Sequence, residues 1–258
     1  MFPAQRIEFL KRIIREKKSV DISTLTAALE VSDVTVRKYL DKLEQEGFLK
    51  KMHGGAILAE EFSAVEESED NDLFEGLNDK EHIAELAVTL IEDGDSIFLG
   101  PGITCNLLAK KIHKLKNITV VTNNVNSLEY LAPYVRNLYF IGGEINFRDG
   151  LMFSYGQKAL AQLDGMFVQK AFISVDGVDI RAGITINDIG LLDIIKKIED
   201  LAQKMIVLAD YHKFNKVGLH HVMPIEKIKI YVSNEKLEDK YKKYLFENDI
   251  KILTFYEI

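Results

Sequence analysis

The chain has 258 residues, 47% of them hydrophobic, and a formal net charge of −7 at pH 7. That length accommodates two domains, and no apolar run approaches the roughly 18 residues that a membrane span requires. Cys105 is the single cysteine, which excludes an intrachain disulfide and a thiolate zinc cluster; neither a metal site nor a cofactor is expected.

The first segment, MFPAQRIEFLKRI, scatters charge through an amphipathic helix and has no apolar core ahead of a cleavage site, so cytoplasmic residence is expected. Ser23 and Ser32 each precede a short apolar-periodic run, and a serine hydroxyl there accepts from the free amides of a first helical turn. The spacing predicts a short helix over 25–29, a corner at Glu30 and Val31, and a longer helix over 33–46 that Gly47 stops. Two helices so joined make a helix-turn-helix.

On the longer helix Val36, Leu40 and Leu43 share one face and should pack on Ile7, Leu10 and Ile14 of the preceding helix. The other face carries Val34, Arg37, Lys38 and Asp41. Arg37 and Lys38 suit phosphate or guanine edges, Thr35 can bond either, Ser32 lies at the same end, and an exposed Val34 suits a thymine methyl. After Gly47 the segment FLKKMHGGAIL alternates apolar and basic residues and turns at His53-Gly54-Gly55, predicting a β-wing that sets Lys50, Lys51 and His53 beside a duplex backbone. A three-helix domain with a merely solvated charged face is the plain alternative.

Residues 1–58, the expected DNA-binding domain, hold eleven Lys/Arg against eight Asp/Glu, whereas residues 59–78 hold eight acids and no base and read as an acidic linker. The negative overall charge therefore does not oppose DNA binding. A local excess of only three argues for binding as a dimer or more.

From residue 79 to 258 helical segments (80–91, 104–112, 157–163, 191–203) alternate with the β-rich runs SIFL, ITVVT, LYFIGG, AFISV, MIVLAD, IKIYVS and IKILTF. This predicts an α/β domain with a largely parallel sheet, whose ligands gather at the carboxyl ends of strands. The first such end, LGPGITC, places Gly100, Gly102 and Thr104 before a helix, a pattern suited to cradling phosphate. Thr122, Asn123 and Asn124 end the second strand, Gly142 and Gly143 the third, Asp176 and Gly177 the fourth, and Asp210 with Lys213 the fifth. Amides, carboxylates and an ammonium suit a phosphorylated sugar, with Lys213 as charge partner for phosphate and Asp176 as hydroxyl acceptor.

The residues VSDVTVRKYL with Leu43, Glu44 and Gly47, then HGGA, GPGIT, VVTNN, IGG, KAFISVDGVD, GITIND and LADYHKFNK, resemble the DeoR-type bacterial transcriptional repressors over nearly the full length. The resemblance implies a winged helix-turn-helix joined to an α/β sensor domain related in fold to ribose-5-phosphate isomerase. It further implies double-stranded operator DNA and a phosphorylated sugar or sugar-alcohol effector as partners, release of DNA by that effector, and a homo-oligomer, dimer or tetramer. Asp188 stands where the family carries a glutamate, with Lys196 as counterpart of a following lysine. Tyr39, Lys51, Pro101 and His212 depart from the family's usual aspartate, arginine, serine and serine. Pro101 removes one backbone donor from the phosphate loop.

The rival from another class is a sugar-phosphate isomerase fused to a DNA-binding module, with Asp176 as base. A purely structural oligomerisation domain is the third possibility.

Overall fold

The chain divides into two units, Met1–Leu73 with one hydrophobic core and Phe74–Ile258 with two. The structure, a computed structural model, describes residues 3–17, 19–29, 31–52, 55–58, 76–148 and 150–254. His53 and nearly all of the acidic segment, residues 59–75, lie outside the described residues.

The first unit runs α1 (Pro3–Lys17), β1 (Ser19–Asp21), α2 (Ile22–Leu29), α3 (Asp33–Gln45), β2 (Leu49–Met52) and β3 (Gly55–Leu58). Leu10 and Ile14 of α1, Leu25 of α2, and Val36, Leu40 and Leu43 of α3 are completely buried together, as the 3.6-residue periodicity of α1 and α3 requires. α2 begins three residues before the predicted start, because Ile22 is itself drawn into this core; Ser23 is therefore inside the helix rather than its cap. α3 stops as predicted at Gly47, whose φ of +69° is left-handed, and the Phe48 amide closes the turn on the Leu43 carbonyl at 3.0 Å. The wing pairs Leu49 with Leu58 and Met52 with Gly55. The sequence reading missed its third strand: β1 pairs with β3 through Val20 and Ala56, both buried.

The second unit is a seven-stranded parallel sheet covered on both faces. Its strands are β4 (Ser96–Leu99), β5 (Thr119–Thr122), β6 (Asn137–Phe140), β9 (Val168–Ser174), β12 (Ala202–Leu208), β14 (Ile230–Val232) and β15 (Lys251–Leu253), which are the seven β-rich runs of the sequence. The order across the sheet is β15-β14-β12-β9-β4-β5-β6, every neighbouring pair parallel. Alternate residues face opposite cores: Phe98, Ala171, Ile173, Val207 and Tyr231 on one side, Ile97, Leu99, Phe172, Ile206 and Val232 on the other. Helices α4 (Leu77–Val88) and α5 (Ile103–Lys111) cover the second face through Ile83, Ala87, Cys105 and Leu108. The first face is covered by α8 (Ile189–Leu201) and α9 (Asp239–Glu247) through Ile194, Ile198, Tyr241 and Leu245. Between α5 and α8 in the chain lie the short α6 (Leu128–Leu131) and α7 (Gln157–Gln162).

Two smaller antiparallel pieces were not expected. One is the hairpin β7 (Glu144–Arg148) and β8 (Leu151–Tyr155); the other joins β10 (Gly177–Asp179), β11 (Gly183–Ile186) and β13 (His220–Met223). The chain leaves β4 towards β5 and β6, returns to β9 on the opposite side of β4, and continues outward through β12. The loops after β4 and β9 thus diverge at a topological switch point, where open α/β sheets form a crevice.

Candidate functional site

In the first unit Val34, Arg37, Lys38 and Asp41 form the exposed side of α3, and Val34 is 63% exposed although its neighbour Val36 is fully buried. Ser32 occupies the N-cap position, but its hydroxyl does not cap an amide. It lies 3.1 Å from the Thr35 hydroxyl, and it is the Ser32 carbonyl that receives the Thr35 and Val36 amides at 2.9 and 3.1 Å. Thr26 of α2 donates to Asp33 at 3.1 Å, tying the two helices across the corner. Ser32, Val34, Thr35, Arg37 and Lys38 therefore lie on one helix end and face, as read from the sequence. Lys50 and Lys51 sit on β2, opposite Ile57 and Ala56.

At the switch point of the second unit, Gly102 has a φ of +131° and precedes the first turn of α5, so that a β-carbon there would fall 2.6 Å from the Ser174 Cβ. Only glycine lets the loop pass this close to β9. Thr104 and Cys105 follow, both buried, and the Cys105 thiol lies 3.3 Å from the Ser174 hydroxyl. Burial pushes the thiol up to about 12, against a smaller opposing effect of its bonds to Ser174, so it is a neutral packing group. The Gly100 amide is not free for a ligand: it donates to the Phe172 carbonyl at 2.9 Å.

Asn123 and Asn124 end β5 and are fully buried. The Asn124 side-chain amide donates both its protons, to the Gly100 carbonyl at 3.1 Å and to Asn106 Oδ1 at 2.7 Å. Asn123 donates to the Ser154 carbonyl at 2.9 Å. Their Oδ1 atoms have no hydrogen-bond partner among the described residues. A buried acceptor left without a donor costs about 1–3 kcal/mol, so two side by side in sequence mark a place that needs donors. Thr122 is used internally: its hydroxyl donates to the Leu99 carbonyl at 2.6 Å and accepts from the Asn124 amide at 3.0 Å.

The remaining residues read from the sequence divide into two groups. Asp176 Oδ2 accepts from the Asn187 amide at 2.7 Å. Asp188 caps α8 by accepting from the Gly190 amide at 2.8 Å, and its other oxygen accepts from Asn146 Nδ2 at 2.5 Å. Through Asn146, β7 and β8, Asp188 is connected to Asn124, which bridges Phe153. Gly142, Gly143, Gly177 and Asp210 are engaged with other parts of the fold. Gln162 brackets Gly142, whose amide donates to Oε1 at 3.2 Å. A β-carbon on Gly143 would meet the Tyr155 carbonyl at 2.3 Å and one on Gly177 the Lys216 carbonyl at 2.3 Å. Asp210 is buried in an ion pair with Lys80 at 3.3 Å and also accepts from the His212 amide at 3.0 Å. Lys213, two strands from β4, makes no ion pair among the described residues.

Sequence reasoning missed Lys80, Ser174, Asn106, and the pair Ser233 and Asn234. Ser233 Oγ and Asn234 Nδ2 are also buried without partners among the described residues, while Asn234 Oδ1 holds the Tyr211 amide at 3.0 Å. A small polar pair directly after β14 is the same signal that Asn123 and Asn124 gave after β5.

Residues 6–62 match the DeoR-like helix-turn-helix domain, and residues 75–235 match the DeoR C terminal sensor domain. The chain belongs to the DeoR family and is a DNA-binding transcriptional regulator of that type. It is 29% identical to the HTH-type transcriptional regulator IolR of Bacillus subtilis, over 96% of this chain and 97% of that protein. It is 34% identical to the lactose phosphotransferase system repressor of Staphylococcus aureus, over 70% of this chain and 72% of that protein. Among solved structures it is similar to a ribose 5-phosphate isomerase from Methanocaldococcus jannaschii, with 19% identity, a TM-score of 0.39, and 54% of this chain and 55% of that one covered. No helix among the described residues is long and apolar enough to cross a membrane.

Proposed function

We propose that this regulator represses a carbohydrate-utilisation operon and releases its operator when a phosphorylated sugar or sugar alcohol enters the crevice beside β4, β5 and β9. The single observation that carries this reading is the pair of unpartnered, fully buried oxygens on Asn123 and Asn124. Both amide protons of Asn124 are committed to Gly100 and Asn106 and one of Asn123 to Ser154, so what the two oxygens present is acceptors, and they select a ligand rich in hydroxyl donors. A phosphate is itself an acceptor and belongs elsewhere. The first turn of α5 beyond Gly102, the Thr104 hydroxyl and the Lys213 ammonium suit it. Similarity to the lactose phosphotransferase repressor and to a putative aga operon transcriptional repressor of Escherichia coli supports a carbohydrate operon.

The exposed side of α3 enters the major groove in this reading, with Arg37 and Lys38 on guanine or phosphate, Val34 at a thymine methyl, and Lys50, Lys51 and His53 beside the backbone. Two such helices act on paired half-sites, which requires an oligomer. Ligand and operator then weaken each other by the same factor. The pocket binds and does not turn substrate over.

The test is a thermal-shift panel of pentose, hexose and hexitol phosphates, each beside its unphosphorylated parent and inorganic phosphate, followed by operator retention with the best compound. Selective stabilisation by one phosphorylated polyol, together with loss of operator binding, is the expected result. Steady conversion of a sugar phosphate, abolished in Asp176→Asn, would replace this reading with the isomerase.

A further inference from the structure

The hairpin beside the crevice carries a feature that its own fold leaves unused. Among the described residues β7 pairs only with β8, whereas the far side of β8 is already joined to the main sheet, since the Ser154 amide donates to the Asn123 carbonyl at 2.9 Å and Phe153 bridges Asn124. The outer backbone edge of β7 is therefore open. Open edges are usually guarded by proline, by a bulge or by inward charge, because they recruit other strands. This one has no proline, and it displays Ile145 at 53% and Phe147 at 68% exposure.

The five residues of β7 are Glu144, Ile145, Asn146, Phe147 and Arg148. We propose that β7 pairs with β7 of a second copy of this chain, antiparallel about a two-fold axis through Asn146, forming a continuous four-stranded ribbon β8-β7-β7-β8. A second copy fits because the strand complements itself when reversed. With Asn146 on the axis, Glu144 faces the other copy's Arg148 and Ile145 faces the other copy's Phe147, each pair occurring twice. Residues directly opposite in an antiparallel pair share a face, so the two apolar pairs lie together on one face and the two charge pairs on the other. A shift of one residue in register would set Glu144 against Phe147 and lose both matches.

The seam lies next to the ligand site. Asn146 at its centre donates to Asp188 at 2.5 Å, and Ser154 on the adjoining strand is held by Asn123 and by the Ile141 carbonyl. Pairing at β7 thus fixes the strand that supports the two free Asn oxygens, a consequence that rests on the effector reading above although the seam itself does not.

The test uses the full chain without DNA or effector. Sedimentation should show a self-associating protein in which Glu144→Arg or Arg148→Glu weakens the dimer at least tenfold, each setting like charges opposite one another twice. The double reversal Glu144→Arg/Arg148→Glu should restore the association constant to near the original. Under mild oxidation Asn146→Cys should cross-link to its own copy. Ile145→Cys should not cross-link alone, but should do so when mixed with Phe147→Cys; Cys105 is fully buried and does not compete. A dimer indifferent to both single reversals, absence of the Asn146→Cys cross-link, or a monomer at all concentrations overturns the seam. Thermal shifts by sugar phosphates on the same variants separate the two proposals. A retained ligand response without the seam removes only the seam, and an intact seam with no response to any sugar phosphate removes the effector reading.

Discussion

The loop that follows β4 crosses close to the end of β9, where Gly102 leaves only 2.6 Å between its missing β-carbon and that of Ser174. A methyl group there meets a side chain rooted on a central strand, and the φ of +131° adds strain of its own. Gly102→Ala should lower stability by about 1–3 kcal/mol. Ser174→Gly in the same chain should recover the steric part but not the dihedral part, and urea unfolding of the four proteins in the cycle measures the split.

Asn123 and Asn124 should behave differently from the neighbouring Thr122. Replacing either asparagine by leucine removes an acceptor for which the described residues supply no donor, so sugar-phosphate thermal shifts should vanish. Thr122→Val takes away an internal bond to the Leu99 carbonyl and should cost about 1 kcal/mol while leaving the ligand preference unchanged. Equal ligand responses in all three variants would show that the asparagine oxygens do not face the effector.

How far the sequence reached is visible in these same residues. All seven strands of the parallel sheet were legible, the inner ones because strands buried on both faces are near-continuous apolar runs, and the edge strands β6 and β15, which have no buried residue, through their aromatic and branched side chains. The Asn123-Asn124 pair was legible too, as a polar pair ending such a run. The β7–β8 hairpin was not read as strands, although INF and LMF around Asp149-Gly150 carry a hairpin signature; helices before and after had set an α/β rhythm that hid it. Gly142, Gly143 and Gly177 were read as part of a ligand pocket at strand ends; a β-carbon on Gly143 or Gly177 would strike backbone, whereas one on Gly142 would meet nothing nearer than the Phe140 ring at 4.0 Å. A glycine's type in the sequence cannot distinguish a ligand neighbour from a backbone one. The Lys80–Asp210 pair joins residues 130 positions apart and has no local trace.

That pair leads to the third prediction. Lys80 and Asp210 are 8% and 2% exposed, so removing one partner strands a buried charge. Lys80→Met should destabilise the second unit by about 3–5 kcal/mol, and Lys80→Met/Asp210→Leu by much less. Lys213→Ala, on the same loop but without an ion pair among the described residues, should leave stability within about 0.5 kcal/mol of the parent. It should nevertheless abolish effector-driven release of DNA; release that persists would exclude Lys213 from the pocket.

For the DNA-reading unit, Arg37→Ala should weaken operator binding by about 1–3 kcal/mol and relax preference at one base pair, because Arg37 lies on the open side of α3 and supports no core. Equal loss on every sequence would assign it to phosphate. Val34→Ser should reduce discrimination for thymine at one position with little change in stability, since the side chain is 63% exposed. Binding-site selection with each variant reads both effects.

The Tyr244 hydroxyl hydrogen-bonds Glu226 and holds that carboxyl below the usual glutamate range, while the same bond, aided by burial, pushes Tyr244 up to about 12. A depressed carboxyl contributes stability above its unfolded-state value and loses it as pH falls through its folded-state value. Glu226 is partly exposed, so the contribution is no more than about 1 kcal/mol. Tyr244→Phe should therefore be less stable than the parent near neutrality and converge with it in acid, as denaturant midpoints recorded down the pH scale would show. Curves that stay parallel would dissociate the carboxyl from the effect.

The core around Leu10, Leu25 and Leu40 shares no residue with the two layers that enclose the parallel sheet. Each half can consequently vary its interior without disturbing the other's packing. Recombination that grafts this reader onto a different sensor, or this sensor beneath a different reader, would yield chains in which operator choice and metabolite choice are inherited as independent traits.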